Sequence, residues 1–233
     1  MKFFRKLGRY YCRRQRAIIT ITVKTGESAL TVSRKDKLWQ IGSPPIALGP
    51  FPHFHVADIL GSATQEILLE WLETEAPWRL AESDFYEQWE FDLLDVDVPY
   101  NAATHFSQEG QAGLRLAIER QFSVHLEPRV TAVAHKLLPG QRIAIHNDYL
   151  PGEETHRLTV QLNRGLRDED GGFFLLFNSF DPSDVYTIIR PESGSAIGFE
   201  ISERSHHAVS RMHGGERYTL VFSFFAKDRI HAD

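Results

Sequence analysis

The second half of the sequence contains three short stretches in which alternate residues differ in character, and this pattern restricts the fold more than any other feature. The stretches are residues 141–146, 156–163 and 217–225. Alternation with a period of two is typical of β-strands, because successive side chains of a strand point to opposite faces. In the last stretch, RYTLVFSFF, Arg217 and Thr219 therefore share one face.

Residues that could bind a metal ion lie next to these strands. His146 and Asp148 are two residues apart where the first stretch ends, so both side chains can point to the same side. His207 precedes Arg217 by ten residues, with a turn-like HGGE between them. Two imidazoles and one carboxylate suit a divalent first-row metal ion and leave coordination positions open. His206 competes with His207, because only one of two adjacent strand residues should face inwards.

The order of these residues resembles that of a known family. A His-x-Asp pair, then His, then Arg ten residues later is similar to the Fe(II)- and 2-oxoglutarate-dependent oxygenases, most of all to their prolyl-hydroxylase-like branch. HRLTVQLN (156–163), Gly171-Gly172 and the closing RYTLVFSFF add to the resemblance, which covers about residues 120–227. It implies a fold that is mainly β with flanking helices, a double-stranded β-helix of the jelly-roll or cupin-like kind.

The resemblance also implies roles for individual residues. The iron ligands, and hence the catalytic residues, would be His146, Asp148 and His207. The co-substrate 2-oxoglutarate would be bound by Arg217, Thr219 and Gln161. A guanidinium can hold a carboxylate through two charge-assisted hydrogen bonds, so Arg217 suits the distal carboxylate. Gln161 departs from the branch, which often has a tyrosine facing the co-substrate at this position.

Two further arginines are candidates for substrate binding. Alternation along their strands would turn Arg142 and Arg157 towards the cavity. There they would suit a substrate that bears a carboxylate, and a structural ion pair is the alternative for each of them.

The activity implied by the resemblance is that of a 2-oxoglutarate-dependent dioxygenase, a hydroxylase of unactivated carbon. Its cofactors would be Fe(II) and 2-oxoglutarate, with O2 as co-substrate and ascorbate as a further candidate. The substrate would be an amino-acid side chain in a peptide or protein, or a free amino acid or natural-product precursor. The alternative is a non-catalytic metal-binding jelly-roll module that recognises a peptide or nucleic acid. A zinc hydrolase could use the same ligands, but it would not explain Arg217 and Thr219 on a neighbouring strand.

Composition and charge bear on the compartment and the partners. The single cysteine, Cys12, excludes an internal disulfide and predicts a reducing, cytoplasmic location. No run approaches the roughly 18 apolar residues of a membrane helix, so no membrane partner is expected.

The net charge is −5, yet residues 1–16 hold seven basic residues and no acidic one. This segment is either a solvated leading helix or a basic arm for an acidic partner. A nucleic acid is the less expected partner.

The remaining pattern predicts the domain organisation. We expect an N-terminal extension over residues 1–49, with the basic arm and short strands at 17–23 and 29–33, and an oxygenase domain over 50–233. Another strand is predicted at 85–94, from its mixture of aromatic and acidic residues.

Two helices are predicted to cover one side of the roll. The first spans about residues 63–76 with Ser62 as its N-cap, and the second begins after Ser107. The second helix should turn Leu114, Leu116 and Ile118 mostly inwards.

Overall fold

Two antiparallel sheets form the scaffold of residues 38–227, the part of the chain that the computed structural model describes. The strands of this part are β1 His53–Val56, β2 Arg79–Glu82, β3 Glu87–Asp92, β4 Leu126–Leu137, β5 Ile143–His146, β6 His156–Leu162, β7 Phe174–Phe177, β8 Val185–Ile189, β9 Ala196–Glu200, β10 His207–Val209 and β11 Arg217–Ala226. Its helices are α1 Ser62–Thr74, α2 Ala103–Phe106 and α3 Gln108–Phe122, with a short 3-10 helix at Asp168–Asp170.

The chain passes back and forth between the two sheets. The large sheet has the strand order β1-β9-β6-β11-β4-β3-β2, and the small sheet has the order β5-β10-β7-β8. From β4 onwards the strands belong by turns to the large and the small sheet, except that β7 and β8 form a hairpin within the small one. This is the arrangement of a double-stranded β-helix, so the predicted fold class is confirmed.

The two faces of the large sheet have different surroundings. Its outer face packs against the helices, with Leu220 and Phe222 of β11 meeting Leu68 of α1 and Leu114 of α3 in one apolar cluster. Its inner face, which carries Thr219 and Val221, lines a cavity. The alternation along β11 therefore separates the apolar core from a polar interior.

Residues before the predicted domain boundary at residue 50 take part in the packing, and the boundary itself stays a prediction. Trp39 and Ile41 are buried in the same cluster as the helices, so packing begins before residue 50. The strands predicted at 17–23 and 29–33 and the basic segment 1–16 lie outside the described residues. Within residues 38–227, no helix is long and apolar enough to cross a membrane.

The predicted helices are present, with two differences. Leu114 and Ile118 are fully buried, but Leu116 is 44% exposed. At about 3.6 residues per turn, Leu116 lies on nearly the opposite side of the helix from its two neighbours. Ser62 is not an N-cap either, because α1 begins at this residue and Gly61 takes the cap position. The Asp58 carboxylate accepts the backbone N–H of Gly61 at 2.8 Å and so holds this end of the helix.

The cap of α3 allows a stability prediction. The hydroxyl oxygen of Ser107 accepts the backbone N–H of Gly110 at 3.2 Å, which satisfies one of the free donors at the start of the helix. Ser107→Ala should lower the free energy of unfolding by about 1 kcal/mol in a urea titration. Ser62→Ala is the matched control, since Ser62 is exposed and α1 has no side-chain cap bond. Equal losses in the two variants would contradict the role of Ser107.

Candidate metal centre and adjoining cavity

The three candidate ligands lie together where β5 and β10 run side by side. His146 is the cross-strand partner of His207, and Asp148 follows two residues after β5. One ligand atom from each residue lies within 4.8 Å of the other two. The His207 Nε2 atom is 3.0 Å from Asp148 Oδ2, and the His146 Nε2 atom is 3.4 Å from Asp148 Oδ1. The fold thus brings a carboxylate between two imidazoles that are far apart in the sequence.

Both imidazoles are held in the form that binds metal ions. The Nδ1 atom of His146 is 2.9 Å from the carbonyl oxygen of Ala144, and that of His207 is 2.7 Å from the carbonyl oxygen of Ser205. A carbonyl oxygen only accepts, so each Nδ1 donates its proton and each Nε2 keeps a free lone pair. Burial, and then the neighbouring His146, lower the pKa of His207 and favour its neutral form. Histidines that bind a metal ion usually donate their other ring N–H to a carbonyl or carboxylate oxygen in this way.

The carboxylate between them is ionised. Burial alone would raise the pKa of Asp148, but the positive charge of Arg157 holds it well below its usual range. Asp148 also has a φ of 57°, in the left-handed region that few residues other than glycine adopt. Strained backbone of this kind is found most often at functional sites.

Arg157 lines the cavity and pairs with two carboxylates. Its guanidinium donates to Asp148 and to Glu154. Burial would lower the pKa of Arg157, but these two carboxylates raise it overall. Of the two alternatives left open by the sequence, the structure contains the ion pair, and direct binding of substrate by Arg157 stays a prediction.

Arg217 is a buried cation with neutral partners. It is 2% exposed, and it donates to Thr219 Oγ1 and to Gln161 Oε1 at 2.7 Å each. Its Nε atom has no hydrogen-bond partner. Burial lowers the pKa of Arg217 to about 10, so the group remains protonated at neutral pH. A buried guanidinium with a spare N–H and no carboxylate among its hydrogen-bond partners is suited to bind an anion.

Gln161 contacts the arginine. Its Oε1 atom accepts from Arg217, while its Nε2 atom donates to Thr159 Oγ1 at 3.2 Å. In this state Gln161 orients the guanidinium, and its direct contact with 2-oxoglutarate stays a prediction.

A single cavity of about 270 Å³ reaches both clusters. His146, Asp148 and His207 line it, as do Arg217 and Thr219. Among the further polar residues of its wall, Tyr86, Gln88, Glu90 and His135 were not identified from the sequence. The signal was present in EQWEFD, where Gln88 and Glu90 share one face of the predicted strand.

Arg142 does not reach this cavity. It is exposed and lines a separate surface groove. The pairing of β5 with β10 shifts register between His207 and Val209, where Ile143 is the partner of Val209. Ile143 therefore shares the cavity wall with His146, and the strict alternation predicted for residues 141–146 was wrong.

His206 faces away from the metal centre. Its ring packs against Phe180 at 5.8 Å between ring centroids, and it does not line the cavity. Of the two adjacent histidines, the described geometry thus directs only His207 towards Asp148.

A family model matches the part of the chain that contains the candidate site. Residues 132–225 match the model described as the 2OG-Fe(II) oxygenase superfamily. This part of the chain is similar to that superfamily. The match confirms the predicted resemblance and, with it, the enzyme class, a dioxygenase that uses Fe(II) and 2-oxoglutarate with O2 as co-substrate.

Solved structures that resemble this oxygenase confirm the fold. A prolyl-4-hydroxylase from Pseudomonas putida has a TM-score of 0.61 at 18% identity, over 76% of this chain and 93% of that one. A prolyl hydroxylase from Trichoplax adhaerens, in complex with a peptide of hypoxia inducible factor, has a TM-score of 0.62 at 14% identity. The match covers 75% of this chain and 84% of that one. HygX from Streptomyces hygroscopicus, with nickel and 2-oxoglutarate bound, has a TM-score of 0.52 at 14% identity. The match covers 75% of this chain and 83% of that one. No curated protein sequence matches the oxygenase.

Proposed function

We propose that this oxygenase hydroxylates an unactivated carbon of an amino-acid side chain, either in a peptide or protein or in a free amino acid or natural-product precursor. One observation carries the proposal: three side chains that could hold a metal ion line the same cavity as Arg217, which is buried and has no carboxylate among its hydrogen-bond partners. The peptide bound to the Trichoplax adhaerens prolyl hydroxylase supports a peptide substrate as one form.

The residues present fit both cofactors. Fe(II) would be held by His146, Asp148 and His207, because both Nε2 lone pairs and the ionised carboxylate already converge there. The distal carboxylate of 2-oxoglutarate would be held by Arg217, whose free Nε–H marks an unmet need for an acceptor. When bound, these groups supply the oxidising chemistry, in which 2-oxoglutarate, O2 and a C–H bond become succinate, carbon dioxide and a C–OH group.

Other side chains of the protein orient and shield the metal ligands. Arg157 fixes the carboxylate of Asp148 in place by pairing with it. Two aromatic rings cover the imidazoles, with Phe85 at 4.8 Å from His146 and Phe174 at 5.4 Å from His207 between ring centroids. These apolar walls exclude water from one side of the centre, which strengthens the electrostatic interactions within it.

The test is co-substrate turnover. The full chain, supplied with Fe(II), 2-oxoglutarate and O2, should release succinate, and candidate peptides and amino acids that are substrates should gain the mass of one oxygen atom. Reactions without Fe(II) are the control. If the chain bound metal but neither bound nor consumed 2-oxoglutarate, a non-catalytic metal-binding module would replace the proposal.

Two expectations stay predictions. The cytoplasmic location rests on the single cysteine. The role of the basic residues 1–16 can be examined by deleting them and measuring substrate affinity at low and high salt, since screening weakens an electrostatic contact.

A further inference from the structure

A row of polar side chains crosses the large sheet on its cavity side. Glu90, His135, Thr219 and Gln161 are successive cross-strand partners on β3, β4, β11 and β6. Direct cross-strand partners point to the same face, so the row runs from Gln161 beside Arg217 to Glu90 at the other end. In the proposed function, residues at the Arg217 end of this row bind 2-oxoglutarate. The residues at its other end, on β3, have no role in that proposal.

Gln88, on the same face of β3 as Glu90, has an acceptor without a partner. The side chain is 2% exposed and lines the cavity. Its Nε2 atom donates to Glu90 Oε2 at 2.8 Å, while its Oε1 atom has no hydrogen-bond partner. The orientation of the amide is settled by Glu90, because a carboxylate can only accept. A buried carbonyl oxygen without a donor is costly, and an N–H group of a ligand would satisfy it.

Glu90 lacks a charged partner in the described chain. The Nε2 atom of His135 lies 3.9 Å away, but burial, and then the charges of Arg157 and Arg217, lower the pKa of His135 to about 3. His135 is therefore neutral above that pH. Arg79 is opposite Glu90 on β2, yet it is exposed and no ion pair joins the two within residues 38–227.

The charges in and next to the loaded cavity would otherwise cancel. Two positive charges of Fe(II) offset the two negative charges of 2-oxoglutarate. Arg157 and Arg217 of the cavity wall offset Asp148 and Glu154, and Glu154 pairs with Arg157 from outside the cavity lining. Glu90 then contributes one negative charge that a cationic substrate group would neutralise. Of the two arginines expected to bind a carboxylate-bearing substrate, Arg142 is outside the cavity and Arg157 is paired with Asp148 and Glu154.

The Glu90 end lies close to the metal centre. Tyr86, which lines the cavity and shortly precedes Gln88 and Glu90, forms a β-bridge with Ile143 at the start of β5, the strand that ends at His146. Glu90 and the three candidate ligands line the same cavity, so one substrate could contact Glu90 while presenting a neighbouring carbon at the metal centre.

We propose that Gln88 and Glu90 are specificity-determining residues that bind a cationic N–H donor of the substrate, a protonated amine or a guanidinium. Glu90 selects for positive charge, and the Gln88 oxygen selects for an N–H group. This inference rests on the proposed function, since it names the substrate class of the same site.

The test compares cationic probes with neutral isosteres. Nα-acetyl-arginine amide is paired with Nα-acetyl-citrulline amide. Nα-acetyl-lysine amide is paired with Nα-acetyl-6-hydroxynorleucine amide, which has a hydroxyl in place of the ammonium group. Their binding to the full chain, loaded with Fe(II) and 2-oxoglutarate without O2, is measured by calorimetry. The chain should bind the cation of at least one pair about tenfold or more tightly than its isostere, as expected for a hydrogen bond to a charged group. The pair that shows the preference identifies the group as guanidinium or amine.

The variants separate the two roles. Glu90→Gln should abolish the preference for the cation, and Glu90→Asp should keep part of it. Gln88→Met should weaken the binding of the arginine and citrulline probes alike, because both offer N–H groups. Glu87→Gln is the matched control: it removes the same charge from the same strand, but Glu87 is exposed and on the opposite face, so the preference should remain. Circular dichroism and thermal unfolding check that each variant is folded.

Each result has a distinct meaning. The inference is overturned if the chain prefers neither cation, or if a folded Glu90→Gln keeps the full preference. A chain that fails to bind 2-oxoglutarate before any probe is added overturns the proposed function instead.

Discussion

His207→Ala is expected to weaken Fe(II) binding by more than about 100-fold, whereas His206→Ala should leave it nearly unchanged. Loss of a residue that merely orients a metal ligand costs about 10- to 100-fold, and His207 would itself be the ligand. Its Nε2 atom lies 3.0 Å from Asp148 Oδ2. Metal content and calorimetric titration under anaerobic conditions give the measurement, and succinate release should disappear with the metal.

His206 is a close control, because it differs from His207 by one position in the chain. Its ring packs against Phe180 on the outside of the cavity. Asp148→Ala and His146→Ala should behave like His207→Ala, with circular dichroism showing a retained fold. If His206→Ala lost iron and His207→Ala kept it, the ligand assignment would be wrong.

Where the sequence carries a regular period, it predicts the structure well. The alternation of RYTLVFSFF places Arg217 and Thr219 together, and their side chains are hydrogen-bonded in the cavity. The alternation of residues 141–146 failed at Arg142, because a shift in register between β5 and β10 is decided by the partner strand. A period in one strand contains no information about such an irregularity in its pairing.

The β3 wall of the cavity shows a second limit. Gln88 and Glu90 lie more than 50 residues before the candidate ligands, and their strand resembles any half-exposed strand with acidic residues. They are connected to the site by the cross-strand pairing of Glu90 with His135 and of His135 with Thr219, which no pattern within one strand predicts. The failed N-cap at Ser62 has the same origin, because Asp58 supplies the contact from outside the helix.

Arg217→Ala should raise the apparent dissociation constant of 2-oxoglutarate by about two orders of magnitude, with little change in Fe(II) affinity. Removing one partner of a desolvated charge pair costs roughly 2–5 kcal/mol, which is about 30- to 4,000-fold in affinity. Arg217 is 2% exposed and its hydrogen-bond partners are the neutral Thr219 and Gln161. No other cation in the described wall of the cavity is available to replace it, since Arg157 is paired with Asp148 and Glu154.

Two companion variants test whether the loss comes from the charge or from the shape of the guanidinium. Arg217→Lys should recover part of the affinity, because it keeps the charge but not the planar pair of donors. Thr219→Ala should cost about 1 kcal/mol, the contribution of an ordinary hydrogen bond, through loosening of the arginine that it contacts at 2.7 Å. Titration of 2-oxoglutarate into the anaerobic Fe(II)-loaded variants gives these constants. Wild-type affinity in Arg217→Ala would remove the co-substrate role of this arginine, and the cavity would then need another cation to hold the distal carboxylate.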